Sequence, residues 1–174
     1  MEQPALVSVS EYLRTSYDPD VDYVEGVLEE RNAGEFDHSD LQGELVAWVR
    51  SHCRQIGLNA FPELRTLIHP NRYRIPDVVI LEGRRPKSRI LETAPLVAIE
   101  ILSPEDRTSR MQSRIDDYLS IGTLYVWVID PETRRAWVHR ANSIEEAKDG
   151  LLHIEKPACT LPLREIFARM EELR

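Results

Sequence analysis

The sequence predicts an α/β fold in which helices flank a mixed β-sheet. Residues 96–102 (LVAIEIL) and 124–130 (LYVWVID) are apolar runs with the length and composition of strands that are buried on both faces. Residues 107–121 between them carry apolar side chains at helical spacing. A strand, a helix and a strand in this order favour a parallel pair joined by a right-handed crossover. The chain has 174 residues, and we expect a single domain over 1–174.

A short helix and a hairpin are predicted in the first thirty residues. Ser8 and Glu11 form a capping-box pattern, which predicts a helix over roughly 8–16. The segment VDYVEGVLEER that follows has a Gly in its centre, after Glu25, and strand-like residues on both sides. This pattern is typical of two paired strands.

The next segment has the pattern of a longer helix. Asp37 or Ser39 is the expected N-cap, and Gly57 is the expected end. The apolar residues that recur at helical spacing are Leu41, Leu45, Trp48, Val49, Cys53 and Ile56.

Three strand-like stretches follow at 59–69, 73–82 and 96–102. Pro62 and Pro76 indicate sheet edges or strand starts in the first two stretches. The helix over 107–121, with Gly122 as its end, and the strand over 124–130 come next. The remaining predicted elements are an outer strand (RRAWVHR), a strand near 151–156 and a C-terminal helix (PLREIFARMEELR). Glu145-Glu146, which precede the strand near 151–156, are expected on a solvated helix face.

Composition argues against a membrane protein and against non-specific electrostatic binding of nucleic acid. No apolar run approaches the length that spans a bilayer, and the N-terminus lacks the pattern of a signal peptide. Cys53 and Cys159 make no recognisable metal or disulfide pattern, so we expect a cytoplasmic protein with reduced cysteines. The net charge of -8 disfavours broad phosphate binding, although Arg residues cluster over 84–89 and 107–114.

Two carboxylates interrupt the predicted central strands. Asp77 lies within YRIPDVVILE and Glu100 within LVAIEIL. If these strands are neighbours and the two side chains share a face, the carboxylates converge. Two carboxylates with a backbone carbonyl suit Mg²⁺ or Mn²⁺. The alternative is an ion pair between Glu100 and Arg74 or Arg114, and spacing alone does not decide between them.

Five segments around these acids form a recognisable set. They are, in order, VDYVEGVLEER, HSDLQGEL from His38, IPDVVIL, LVAIEILSPED and RIDDYLSIGTLYVWVIDP. The set covers most of residues 9–140 and resembles the PD-(D/E)XK nuclease superfamily, within it the bacterial Uma2 family of putative restriction endonucleases. The resemblance implies a restriction-endonuclease-like core and metal-dependent hydrolysis of a DNA phosphodiester. It also implies that Asp77, Glu100 and the carbonyl of Ile101 hold Mg²⁺ or Mn²⁺.

The sequence departs from the superfamily pattern at one chemical residue. The superfamily places a Lys two residues after the Glu, where this chain has Leu102. The Uma2 pattern places it four residues before the Tyr of the YLSIG segment, where this chain has Arg114. Arg stays protonated and cannot act as a base, but it can stabilise charge on a phosphate.

Arg114 therefore leaves two functions open. In the first, the chain is an active endonuclease and Arg114 is its electrostatic stabiliser. In the second, it is a catalytically impaired nuclease-fold protein that acts in binding or assembly, with Arg114 paired to Glu100 or Asp77. DNA is the expected substrate of the first, and a homodimer is the default assembly because twofold dimers are the commonest.

Four further residues are candidates for the site. His38, at the start of the long helix, is expected to orient water or phosphate, and the alternative is a helix-entry residue. Glu63 and Glu25 are candidates for a third acid, although charged strand residues usually face solvent. Lys87, in a loop, is a candidate to replace the missing Lys, and the alternative is a solvated surface side chain.

Overall fold

A computed structural model describes residues 6–31 and 35–172. Within these ranges it shows a larger six-stranded sheet, a smaller four-stranded sheet, a two-stranded antiparallel sheet and four α-helices. Within these ranges the helices are α1 (Val9–Arg14), α2 (Phe36–His52), α3 (Thr108–Ser120) and α4 (Leu163–Glu171). The strands of the same ranges are β1 (Val21–Val24), β2 (Val27–Glu30), β3 (Leu58–Pro62), β4 (Thr66–His69), β5 (Arg72–Arg74), β6 (Val78–Glu82), β7 (Val97–Ile101), β8 (Tyr125–Asp130), β9 (Arg135–Arg140), β10 (Ser143–Glu146), β11 (Leu151–Ile154) and β12 (Cys159–Pro162).

The larger sheet has six strands in the order β10-β9-β8-β7-β6-β3. β7 and β8 pair in parallel, and all other neighbours pair antiparallel. The helix α3 connects the two parallel strands, as the sequence predicts. Helices flank this mixed sheet, so the predicted fold class is confirmed.

The two faces of the larger sheet are covered by different elements. Leu45 of α2 and Ile166 of α4 belong to one core cluster with Ile99 and Trp127 of the sheet. Burial of each such side chain contributes on the order of 1.5–3 kcal/mol. The opposite face holds a second cluster, in which Met111, Ile115 and Tyr118 of α3 pack against Ala98, Val126 and Val128. Successive strand residues face opposite sides, so Glu100 lies on the same face as α3.

The smaller sheet is antiparallel, with the order β2-β1-β5-β4. Its β1–β2 hairpin confirms the predicted paired strands. The two turn residues, Glu25 and Gly26, have φ of 52° and 92°, which matches the mirror-image turns that suit hairpin twist. Tyr12 of α1 stacks on Tyr23 with 5.0 Å between ring centroids, which fixes the helix against this sheet.

The strand-like stretches 59–69 and 73–82 are each divided between the larger and the smaller sheet, so neither is one continuous strand. The first stretch contains β3 and β4, and the second contains β5 and β6. β6 begins just after Pro76, in agreement with a strand start there. The chain turns at Glu63, whose φ is 47°, and again at Pro76, which has no N–H to donate. Asp77 consequently lies in the connection just before β6.

Other local predictions also differ from the structure. The N-cap of α2 is Glu35, which makes no side-chain capping hydrogen bond, so neither Asp37 nor Ser39 is the cap. Glu145 and Glu146 lie in β10, where pairing with β9 overrides a helical pattern. No helix in the described ranges is both long enough and apolar enough to cross a bilayer.

Cys53 and Cys159 form a disulfide, so the expectation of unpaired cysteines is wrong. The two residues are 106 positions apart in sequence, with Cα atoms 6.7 Å apart. Cys53 is the C-cap of α2 and Cys159 begins β12. Both elements pack on the same face of the larger sheet, a tertiary contact that cysteine spacing does not encode.

Candidate active site

Asp77 and Glu100 meet at one end of the neighbouring strands β6 and β7. Val78 pairs with Ile99 in the antiparallel register, so the next position along places Asp77 opposite Glu100. Both residues are buried, with 2% and 0% of their surface exposed. The backbone N–H of Ile101 donates to Asp77 Oδ2 at 2.7 Å. The fold therefore brings the two predicted acids into one buried site.

Cations and donors surround the Asp77 carboxylate. Arg31 Nη2 donates to Oδ1, and His38 Nε2 lies 3.4 Å from Oδ2. Gln42 of α2 donates to the backbone carbonyl of Asp77 at 2.9 Å. Burial acts to raise the pKa of Asp77, but the hydrogen bond to His38 and the charge of Arg31 outweigh burial, so the pKa lies below its usual value. The same contact raises the pKa of His38 against the effect of burial.

Glu100 has a different electrostatic environment. The Tyr118 hydroxyl donates to Oε1 at 2.6 Å, and Arg114 Nη1 donates to Oε2 at 3.1 Å. Burial raises the pKa of Glu100 to about 7; Arg114 acts to lower it and the negative charge of Asp77 acts to raise it. Negative charge at Glu100 is therefore not fully offset by the cations around it.

A third buried acid, Asp22 of β1, extends this cluster. Its Oδ2 accepts hydrogen bonds from Arg114 Nε at 3.2 Å and from Arg74 Nη1 at 3.1 Å. Its Oδ1 accepts from the backbone N–H of Ile75 at 2.9 Å. Arg114 is thus held between Asp22 and Glu100, which fixes the guanidinium against the site.

Arg74 is a buried cation that pairs with acids other than Glu100. It donates to Asp117 Oδ2 at 2.7 Å and to Glu29 Oε2 at 2.6 Å, in addition to Asp22. The sequence offered Arg74 and Arg114 as ion-pair partners of Glu100, and in the structure only Arg114 of these two has that role.

Sequence reasoning missed Asp22 and Arg31. Asp22 is at the second position of the VDYVEGVLEER segment, where strand alternation does not reveal which face is buried. Arg31 is the last residue of the same segment and resembles an ordinary charged residue at a strand end. Its contact with Asp77 depends on how the smaller sheet packs, and no sequence signal identifies it.

The candidate acids Glu63 and Glu25 lie in different places. The Glu63 N–H donates to the Asp77 carbonyl at 3.1 Å, and its side chain is exposed at the rim of a cavity of about 530 Å³ that reaches Asp77 and Arg31. Glu25 is in the hairpin turn, where Oε1 accepts a hydrogen bond from Arg72 at 2.9 Å. Glu63 is therefore at the edge of the site, whereas Glu25 pairs with a residue outside it.

Lys87 is exposed in the loop that leaves β6 at the end opposite Asp77. Its neighbour Pro86 lines a small cavity with Gly122 and Leu124, which precede the start of β8. That end of the sheet is remote from Glu100, at the other end of β7. The fold thus does not bring Lys87 to the paired acids.

The oxygen atoms of Asp77, Glu100 and Ile101 are of the kind that binds a hard divalent cation. A metal ion would compete for them with the Arg side chains that already contact the two carboxylates. Two carboxylates and the carbonyl of Ile101 are the oxygen ligands that Mg²⁺ and Mn²⁺ prefer. The incompletely offset charge at Glu100 would favour additional positive charge there. In the described ranges no three His, Cys, Asp or Glu residues form a metal-binding group, and each oxygen of Asp77 and Glu100 faces a donor. An ion would therefore have to exchange with Arg31 or Arg114.

A family model described as Uma2, putative restriction endonuclease, matches residues 9–166. The chain belongs to the Uma2 family. This confirms the resemblance seen in the motifs and supports a nuclease function in general terms.

The Uma2 chain is also similar to a solved structure, a putative nuclease belonging to DUF820 from Anabaena variabilis ATCC 29413. The two chains are 26% identical, with a TM-score of 0.82, and the match covers 94% of this chain and 99% of that one. A search of curated proteins gives no match. The Uma2 core described above is thus shared with a crystal structure over almost its whole length.

Proposed function

We propose that this Uma2 protein is a Mg²⁺- or Mn²⁺-dependent endonuclease that hydrolyses DNA phosphodiester bonds. Asp77, Glu100 and the carbonyl of Ile101 would hold the ion, which would supply an activated water and offset charge on the scissile phosphate. The observation that carries the proposal is the position of two buried carboxylates opposite each other, Asp77 just before β6 and Glu100 on β7. Membership of a family of putative restriction endonucleases supports it.

Arg31 and His38 bind the phosphate in this proposal. Both line the cavity of about 530 Å³ that opens onto Asp77. Arg31 has only 9% of its side chain exposed, but the cavity gives it space to move from the carboxylate towards an incoming phosphate. A guanidinium makes two parallel hydrogen bonds to phosphate, which fixes the orientation of the scissile group.

Arg114 stabilises negative charge on the phosphate and transfers no proton. Asp22 and Glu100 both raise its pKa against the effect of burial, so it stays a cation. The hydrogen bond and the charge of Asp77 raise the pKa of His38 against the effect of burial, which favours its protonated form. Arg114 cannot act as a general base, and general-base catalysis typically contributes about 10²–10⁴-fold to rate. We therefore expect slow hydrolysis, and faster hydrolysis in Arg114→Lys, because a desolvated Lys can lose its proton.

A second function is favoured by the ion pairs themselves. Arg114 pairs with Glu100 at 3.1 Å, and Arg31 contacts Asp77. If these pairs persist in the presence of Mg²⁺, the protein is a nuclease-fold protein that binds a partner and does not cleave. Buried ion pairs of this kind are costly to open, since each leaves a charge without its partner.

Plasmid nicking tests the proposal. Supercoiled plasmid is incubated with Mg²⁺ or Mn²⁺ and either the wild-type protein or an Asp77→Asn, Glu100→Gln double variant, which keeps the side-chain shapes. We expect nicked circles from the wild type, none from the double variant and none in EDTA. Equal products from both proteins would show that the cleavage comes from a contaminant. No cleavage by the wild type or by Arg114→Lys would favour the binding function.

A further inference from the structure

A large cavity of about 750 Å³ lies beside the paired acids, on the same face of the sheet as Glu100. Its apolar lining comes from the strands and from α3, which forms one wall. The apolar side chains of this lining include Leu102, Met111, Ile115, Val128, Trp137 and Ile144. A concave site of this volume that combines apolar side chains with convergent polar groups has the properties of a small-ligand site.

The cavity shares one lining residue, His38, with the separate cavity that reaches Asp77. Leu102 lies two residues after Glu100. Its N–H donates to the Ile129 carbonyl at 2.8 Å, so the chain keeps its extended direction one residue past the end of β7. Two strand residues span about 7 Å. His38 contacts Asp77 and also lines the cavity. A group bound here would therefore be about one nucleotide unit away from a phosphate at Asp77 and Glu100.

Trp137 presents an aromatic surface to this cavity. It is half-buried, whereas Trp48 and Trp127 are 5% and 1% exposed within the core. The guanidinium of Arg135 lies over the Trp137 ring, 5.0 Å from its centroid, which restricts the indole. An aromatic side chain held in this way is a platform on which a planar base stacks.

The rim of the cavity is acidic. Glu35 and Glu132 line it together with one arginine, Arg107, and three Asp residues. A second phosphate would be repelled here, while a neutral base would not be. Carboxylates accept hydrogen bonds from the exocyclic amino groups of adenine, cytosine and guanine, and thymine has no such group.

We propose that this cavity binds one unpaired, amino-bearing base of the substrate strand. The base stacks on Trp137, and its amino group donates to Glu35 or Glu132. The inference rests on the proposed function, because a phosphate at Asp77 and Glu100 places the base. A base inside a duplex cannot reach such a pocket unless it leaves the stack. The preferred substrate is consequently a single strand or a mismatched or otherwise weakly paired site.

Nucleoside titration without metal tests the cavity independently of cleavage. Deoxyadenosine, deoxycytidine, deoxyguanosine and thymidine are added to the Asp77→Asn, Glu100→Gln double variant, with binding followed by NMR of the nucleoside and of the Trp indole N–H groups. We expect the Trp137 signal to move and the signals of Trp48 and Trp127 to stay. The amino-bearing nucleosides should bind about 5- to 100-fold more tightly than thymidine. Equal affinity for all four, or no shift at Trp137, would overturn the proposal.

Variants locate the contacts. Trp137→Ala should weaken nucleoside binding about 10-fold or more, and Trp137→Phe should retain most of it, because the ring is what stacks. Glu132→Gln or Glu35→Gln should abolish the preference over thymidine, while the exposed Glu155→Gln should not. If Trp137→Ala does not fold, Trp137→Phe, Glu132→Gln and Glu35→Gln still test whether the ring and the carboxylates contact the base. Binding of phenethylamine as tight as that of the nucleosides would identify a site for organic cations and overturn the proposal.

The outcomes separate this inference from the proposed function. Nucleoside binding by a protein that never cleaves plasmid would retain the base pocket and reject hydrolysis. The opposite outcome needs two results. The protein would cleave plasmid, and it would also cleave a single strand at the same rate whether or not the nucleotide at the cleavage position has lost its base. These results together would retain hydrolysis and reject the base pocket.

Discussion

Replacing Arg31 with Met tests whether a metal ion and Arg31 compete for Asp77. Arg31 and Asp77 are 9% and 3% exposed at their side chains and are in direct contact. Removing one partner of a buried pair costs about 3–5 kcal/mol. His38 and the N–H of Ile101 remain on Asp77 in the variant, so we expect a loss near the lower limit, about 3 kcal/mol in EDTA.

The same substitution should strengthen metal binding. A hydrogen bond between charged groups, such as that of Arg31 to Asp77, contributes about 1.5–3 kcal/mol net. In the variant the metal ion does not have to break this bond, so its affinity should rise by roughly 10- to 150-fold. Mn²⁺ at 100 times its dissociation constant would add about 2.7 kcal/mol to the unfolding free energy. Most of the stability lost in EDTA would then return.

Urea unfolding with EDTA and with a Mn²⁺ series measures both effects. Arg50→Met is the control, because Arg50 donates to the Ala60 carbonyl and lies over the Phe61 ring, away from the site acids. The reasoning is refuted if Arg31→Met is destabilised and Mn²⁺ stabilises it no more than it stabilises the wild type. That result would mean that Asp77 is a partner of Arg31 alone.

Three further predictions concern the charged cluster and the disulfide. Arg74→Met should lower the unfolding free energy by about 3–5 kcal/mol, because it leaves buried acids without their partner. The control Arg169→Met, which removes an exposed ion pair, should cost about 0.5 kcal/mol. Similar urea midpoints for the two variants would contradict the prediction. The pKa of Glu100 is raised from 4.5 to about 7 on folding, so the folded state binds its proton more tightly, and the unfolding free energy should fall as pH rises from about 4.5 to about 7. Glu100→Gln should remove that fall in urea titrations across this range, and an unchanged profile would reject the assignment. Reduction of the Cys53–Cys159 disulfide, which spans 106 residues, should cost about 2–4 kcal/mol in urea with dithiothreitol, and a Cys53→Ala, Cys159→Ala variant should not respond to the reductant.

The sequence predicts the β7-α3-β8 unit well because burial leaves a clear pattern. A strand with both faces covered has a continuous apolar run, and the helix between two such strands has a single apolar stripe. Glu100 is conspicuous in such a run, so both the strand and its unusual carboxylate can be identified from residues 96–102. The motif set around Glu100 and Asp77 then indicates the family, which the match over 9–166 confirms.

The remaining features depend on tertiary contacts that local patterns do not carry. The residues on either side of Pro62 and Pro76 have strand character, so a corner between two sheets looks like an interruption within one strand. Arg31 reaches Asp77 across 46 positions of sequence, and Asp22 reaches Arg114 across 92. A charged residue at a hairpin end is usually solvated, and only the packing of the smaller sheet against α3 places these side chains in the site.

Calorimetric titration of the wild-type protein with Mn²⁺, repeated on Glu100→Gln, tests the assignment of Asp77 and Glu100 as metal ligands most directly. We expect binding of one ion per chain, with a dissociation constant between micromolar and millimolar, and its loss in the variant. No binding by the wild type, or the same binding by Glu100→Gln, would contradict the assignment and leave the carboxylates as partners of Arg31 and Arg114.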